Sequence, residues 1–177
     1  MSKEIANEAV QTAKRENVGG KFLTFILAGE EYGVEILKVQ EIIGIMNITP
    51  VPRTPEFVKG VINLRGKIIP VIDLRLKFIM ESIEQTEETC IIVVQVANEK
   101  RQVTMGVIVD MVSEVIDIMS EQIEGTPEFG IDLDTRFILG IGKIDDKVVI
   151  ILDVDKVLTS KEIALADKIA AKCPIKE

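Results

Sequence analysis

From Lys21 the chain alternates short apolar runs with turn residues, a pattern that predicts strands rather than long helices. Phe22-Leu23-Thr24-Phe25-Ile26-Leu27 predicts a first strand, Gly29-Glu30-Glu31 a turn and Tyr32-Gly33-Val34-Glu35-Ile36 a second strand. Pro50, Pro52 and Pro55 mark a long loop, because each removes a backbone donor and biases its predecessor away from helix. Gly60 to Leu64 and Lys67 to Ile72 predict a hairpin that turns at Arg65-Gly66. Pro70 inside its second arm predicts an edge strand or a bulge. Further strands are expected over 89–97, 102–110, 137–144 and 147–152, with the glutamate-rich stretch 81–88 as a solvated connector. A helix is expected over 160–172, with Ser160 as its cap and Ile163, Ala166 (or Asp167) and Ala170 along one face. Residues 1–17 carry mixed charge and no strand pattern. The organisation expected is therefore a tail at 1–17, a folded domain at 18–159, and a C-terminal helix and tail at 160–177.

The apolar pattern also repeats. At a shift of 73, Gly33-Val34-Glu35-Ile36-Leu37-Lys38-Val39-Gln40-Glu41-Ile42-Ile43 falls on Gly106-Val107-Ile108-Val109-Asp110-Met111-Val112-Ser113-Glu114-Val115-Ile116. Glycine, glutamate and aliphatic positions match in order. At a shift of 80, Gly60-Val61 falls on Gly140-Ile141, and Lys67-Ile68-Ile69 on Lys147-Val148-Val149. Val71-Ile72-Asp73-Leu74 then falls on Ile151-Leu152-Asp153-Val154, and the difference in shift places seven extra residues between Glu114 and Gly140. One copy of about 70 residues with short strands is marginal alone, whereas two packed copies can bury a common apolar seam. Ile91–Val94 and Val107–Val109 are expected to be buried on both faces, and Asp73 and Asp153 to cap short helical turns.

Composition narrows the function. Of the 177 residues 47% are hydrophobic and 4% aromatic, so the core is aliphatic and suits strands. A net charge of −8 repels phosphate, which argues against nucleic acid and against adhesion to anionic lipid. No window approaches the roughly 20 apolar residues of a membrane span, so no direct membrane insertion is expected. Met1-Ser2-Lys3-Glu4-Ile5 lacks the continuous apolar stretch of a secretory signal, and Cys90 and Cys173 make no disulfide framework, which fits a reducing cytoplasm.

The sequence contains no histidine, which removes the commonest general base and metal ligand. Two distant cysteines cannot build a zinc site alone. Gly140-x-Gly142 begins like a dinucleotide fingerprint, but Asp145 holds the third glycine position and a strand follows instead of a helix. Asp132-x-Asp134 begins like a calcium loop, but Phe137 and Lys143 stand where glycine and glutamate are needed. Ser113 and Ser120 have no imidazole partner. No catalytic residue, cofactor or metal is expected, and the chain reads as a binding protein rather than an enzyme.

What remains is a difference between the copies. The first hairpin reads Asn63-Leu64-Arg65-Gly66 and the second Lys143-Ile144-Asp145-Asp146. Arg65 has two readings, a solvated loop cation or a forked donor held out to a partner's carboxylate or backbone. Glu41, among Val39, Ile42 and Ile43, is either an exposed strand position or a charge at the centre of an apolar docking patch.

At these residues the chain resembles the CheW family. Glu31-Tyr32-Gly33-Val34-Glu35-Ile36-Leu37-Lys38-Val39-Gln40-Glu41-Ile42 resembles its first signature, and the stretch from Thr54 to Arg75, through Gly60-Val61-Ile62-Asn63-Leu64-Arg65-Gly66, a long second one. Gly106 to Asp110 with Val112-Ser113-Glu114-Val115 resembles a third, and Pro127-Glu128-Phe129 and the segment from Leu139 to Leu158 complete it. The resemblance implies an all-β fold of two packed five-stranded SH3-like barrels. It implies a cytoplasmic chemotaxis scaffold, recruited to membrane-associated receptor arrays. Such a scaffold couples the cytoplasmic tips of methyl-accepting chemotaxis receptors to the regulatory domain of the histidine kinase CheA, which shares the fold. Carried over by motif, Arg65 and Glu41 become partner-facing residues, and Val39, Gly60, Gly66, Gly106 and Val115 interface or interface-supporting ones. A similar adaptor serving a different two-component pathway is the alternative.

Overall fold

The computed structural model describes residues 19–97, 102–125 and 136–172. The expected tail at 1–17, Asp132-x-Asp134, Pro127-Glu128-Phe129 and Cys173 lie outside the described residues. Eleven strands follow in order: β1 (Gly20–Leu27), β2 (Glu30–Glu35), β3 (Val39–Gly44), β4 (Val58–Leu64), β5 (Lys67–Asp73), β6 (Cys90–Ala97), β7 (Gln102–Val109), β8 (Met111–Ile118), β9 (Ile123–Glu124), β10 (Ile138–Ile144) and β11 (Lys147–Leu152). A short helix, α1 (Leu74–Lys77), follows β5; α2 (Val154–Val157) follows β11, and α3 (Ser160–Lys172) ends the described chain.

The strands form two sheets, β3-β6-β7-β5-β4 and β8-β1-β2-β11-β10-β9. Each is rolled, because residues from its opposite edges meet in one cluster. Ile43 of β3 and Ile62 of β4 pack with Ile69, Val71, Ile91, Val93 and Ile108 in the first sheet, here barrel one. Ile116 of β8 and Ile123 of β9 pack with Phe22, Ile118 and Ile151 in the second, barrel two. A third and larger cluster fills the seam, where Ile72, Ile92, Val94, Val96 and Met105 of barrel one meet Leu23, Phe25, Leu27, Val34 and Leu152 of barrel two. In β6, Ile91 and Val93 turn into barrel one while Ile92, Val94 and Val96 turn to the seam. A period of two thus buries both faces of this strand.

The repeat is visible in the pairing, with one twist. The chain exchanges strands: β5 runs parallel to β7 with Val71 opposite Gly106, and β11 parallel to β2 with Ile151 opposite Gly33. These two pairs are equivalent under the shifts of 80 and 73, so the leading strand of each first block, β2 or β7, completes the barrel of the other copy. Smaller features repeat as well. β4 and β10 bulge before Gly60 and Gly140, and the Asp73 and Asp153 amides donate to the Phe57 and Phe137 carbonyls, each at 2.7 Å. Both aspartates cap a helix as expected, Asp73 accepting from the Arg75 amide at 2.9 Å and Asp153 from the Asp155 amide at 3.1 Å. β9 corresponds to an isolated bridge between Thr49 and Val61 in barrel one.

Three expectations change. β3 and β8 are strands that the apolar runs did not delimit. Pro70 lies in β5, an interior strand and not an edge. It faces Val61, whose own N–H and C=O bond to Thr49 at 2.9 Å, so the pairing with β4 needs no donor from Pro70. The cap of α3 is Thr159 rather than Ser160. The Thr159 amide donates to Glu162 Oε1 at 2.8 Å and the Glu162 amide to Thr159 Oγ1 at 3.2 Å, a reciprocal capping box. The helix buries Ile163, Ala166 and Ile169 in the seam, and Ala170 is half-buried. Among the described residues no helix is long and apolar enough to cross a membrane.

Candidate partner-binding surface

The β4–β5 hairpin turns on two residues with positive φ, Arg65 at 51° and Gly66 at 84°. Such a turn matches the right-handed twist of its strands, and the Gly66 amide donates to Asn63 Oδ1 at 3.0 Å to fix it. Arg65 is thereby held out with its side chain 75% exposed. It reaches across to β3. A bulge between Val39 and Glu41 sets Glu41 opposite Val93 and on the face of Ile43, at the mouth of barrel one. Arg65 Nη1 donates to Glu41 Oε2 at 2.6 Å and Nη2 to Oε1 at 3.1 Å, a bidentate fork that joins the two edges of the sheet. The two residues singled out separately in the sequence are partners of one another. Glu41 is 24% exposed and its charge is answered within the chain.

Barrel two lacks this dyad among the described residues. Asp145 occupies the equivalent turn position, at φ 54°, and Glu114 the equivalent strand position, and two carboxylates cannot pair. The Glu114 backbone is instead engaged by Thr24, whose hydroxyl donates to its carbonyl at 3.0 Å. One scaffold, used twice, carries an exposed charged fork once.

The other expected site residues separate by depth. Gly60 is buried at φ 142°, and a Cβ there would lie 2.0 Å from the Thr49 carbonyl oxygen. Gly106 is buried too, and a Cβ would meet Ile91 Cγ2 at 2.8 Å. Any part these two play is through the shape of barrel one. Val39 is half-buried against the seam, while Val115 on β8 is 52% exposed. Val115 is the repeat equivalent of Ile42 on β3, itself 42% exposed, and both strands are sheet edges. Ile42 was not chosen from the sequence, although the shift of 73 lays it on Val115. Leu37 and Met119 are exposed beside the same strands at 92% and 61%, and no spacing in the sequence marked them. These two edge strands therefore offer apolar side chains to solvent.

Comparison with known proteins is decisive at this point: residues 21–162 match the family described as CheW-like domain. The chain belongs to the CheW family. It is 44% identical over 155 residues to the chemotaxis protein CheW of Klebsiella aerogenes, covering 88% of this chain and 91% of that one. It is 38% identical over 138 residues to the chemotaxis protein CheW of Helicobacter pylori, covering 78% and 81%. The crystal structure of the scaffolding protein TtCheW from Thermoanaerobacter tengcongensis superimposes with a TM-score of 0.71 at 41% identity, over 81% of this chain and 97% of that one. The two barrels are thus the CheW fold, and the protein is a chemotaxis coupling adaptor and not an enzyme.

Proposed function

We propose that this CheW-family chain couples the cytoplasmic tips of methyl-accepting chemoreceptors to the regulatory domain of the histidine kinase CheA, and that the Arg65–Glu41 dyad belongs to the surface that meets them. The dyad carries the reading. It is exposed, charged and bidentate, and among the described residues it has no counterpart at the matching positions of barrel two, where the exposed pair Lys143–Glu124 makes a single contact instead. A purely structural fork would serve barrel two equally well. A receptor helical hairpin lays apolar side chains against the groove between the barrels, and a second surface, rimmed by the edge strands with Ile42 and Val115, engages the kinase. Val39 supports the groove from the seam, and Gly60, Gly66 and Gly106 keep the hairpin and barrel in register. The adaptor works in the cytoplasm, at receptor arrays. Because it transforms nothing, receptor state reaches the kinase through contacts that differ between signalling states, transmitted by a rigid body.

Arg65→Glu tests the reading. The variant is expected to keep its circular dichroism spectrum while kinase stimulation in a reconstituted receptor–adaptor–kinase assay falls roughly tenfold or more, the loss typical of a central interface arginine. The exchanged pair Arg65→Glu with Glu41→Arg restores the internal fork but presents it reversed. Coupling that stays low in the exchanged pair supports a partner-facing role. Coupling that returns in full assigns the dyad to barrel closure alone.

A further inference from the structure

Within the described residues the strands change barrel twice, at the 3-10 turn Ile36–Lys38 between β2 and β3 and at Asp110 between β7 and β8. Each crossing is gripped by an ion pair. Lys38 Nζ lies 2.8 Å from Asp155 Oδ2, and Asp155 Oδ1 accepts the Ala97 amide at 2.7 Å. Arg75 Nε and Nη2 donate to the two oxygens of Asp110 at 2.8 and 2.6 Å, and Asp110 Oδ2 also accepts the Ala28 amide at 2.9 Å. Arg75 and Asp155 are equivalent under the shift of 80, and their charges are opposite. The crossing residue that faces each is reversed to match.

We infer that these two clasps, Lys38–Asp155 and Arg75–Asp110, fix the rotation of one barrel against the other. Three observations lead there. First, each clasp spans both barrels. Asp155 follows β11 of barrel two and holds Ala97 of barrel one, while Arg75 follows β5 of barrel one and, through Asp110, holds Ala28 of barrel two. Second, apart from one run of stacked and tilted rings, Phe25–Tyr32–Phe78–Phe137, the seam between the barrels is mostly aliphatic, and burial of aliphatic surface is non-directional, so it sets closeness better than angle. The clasps supply direction, and they are partly desolvated, with side chains 29% and 27% exposed in the first and 13% and 20% in the second. Third, the reversal of sign removes the ambiguity of a repeat. Clasps of the same polarity could be exchanged between copies, but here the wrong match sets Arg75 against Lys38 and Asp155 against Asp110.

Residual dipolar couplings of backbone amides test this without any partner, so the result stands apart from the proposed coupling role. In the native chain one alignment frame is expected to describe both barrels. In the variant Arg75→Gln with Lys38→Gln the barrels are expected to need two frames, while the pattern within each barrel is kept. The exchanged pair Arg75→Asp with Asp110→Arg is expected to return to one frame. If the first variant does not fold, the single changes decide. Lys38→Gln is expected to raise hydrogen exchange at Ala97 roughly tenfold and leave Ala28 protected, and Arg75→Gln to do the converse. A single frame in the opened variant, failure of the exchanged pair to restore it, or exchange that rises equally at both alanines or at neither would overturn the inference.

Discussion

Gly60 and Gly66 lie in one hairpin, both with positive φ, and a methyl group meets different surroundings at each. At Gly66 nothing stands within 4 Å of the added carbon, so Gly66→Ala carries only the left-handed backbone penalty, about 1–2 kcal/mol. At Gly60 the same carbon would sit 2.0 Å from the Thr49 carbonyl, which is itself bonded to Val61. Gly60→Ala must therefore break the Thr49–Val61 bridge as well, and a loss of about 3 kcal/mol or more is expected in urea unfolding. Equal losses for the two variants would contradict this account. Single residues were legible in the sequence to the same unequal degree. Arg65 and Glu41 each stood out, one by its place in a hairpin and the other by its apolar neighbours. Their meeting did not, because it depends on a bulge in β3 and on the rolling of the sheet, neither of which alternation encodes.

Elements are held to one another by charge as well as by apolar packing. Lys77 on α1 bonds both Glu162 oxygens, at 2.8 and 2.7 Å, and so ties α3 to barrel one. Burial opposes ionisation of Glu162, but Lys77 and the Thr159 amide outweigh it and hold the carboxyl below its ordinary range. The sign follows directly: with the folded-state pKa below the unfolded one, the stabilisation is complete above the ordinary carboxylate range and is lost as pH falls through the folded value. Glu162→Gln is expected to be less stable at neutral pH and to lose less on acidification below about pH 5, as read from urea midpoints across a pH series. A parallel pH profile in the two proteins would refute it. At this scale the strand runs with continuous Val and Ile were easy to delimit, since doubly buried strands are apolar throughout. β3 and β8 were not, because each shows only one face to the core and carries Glu41 or Glu114 at its centre, although the repeat had laid the two on one another. Pro70 misled for a related reason, since what frees it from its missing donor is Thr49, a residue remote in sequence.

For the whole molecule, the repeat gave two copies but not which strand belongs to which barrel, because matching residues says nothing about partners. The observed exchange has a measurable result. Cutting the connector at 81–88 separates β1–β5 from β6–β11, and each barrel then lacks strands that the other piece holds. Neither fragment alone is expected to show a cooperative unfolding transition, and an equimolar mixture is expected to recover one; a fragment that folds alone would contradict the pairing of β5 with β7 and of β2 with β11. The same arrangement bears on synthesis. Barrel one is drawn from a contiguous stretch, Val39 to Val109, and can close while the chain is still emerging. The β1–β2 hairpin is made before the other strands yet must wait for β8 and β11, its neighbours on either side, with Phe22 and Phe25 uncovered in the meantime. The first two strands to be made are thus the last to find their neighbours, and that interval is when the nascent chain most needs shelter from aggregation.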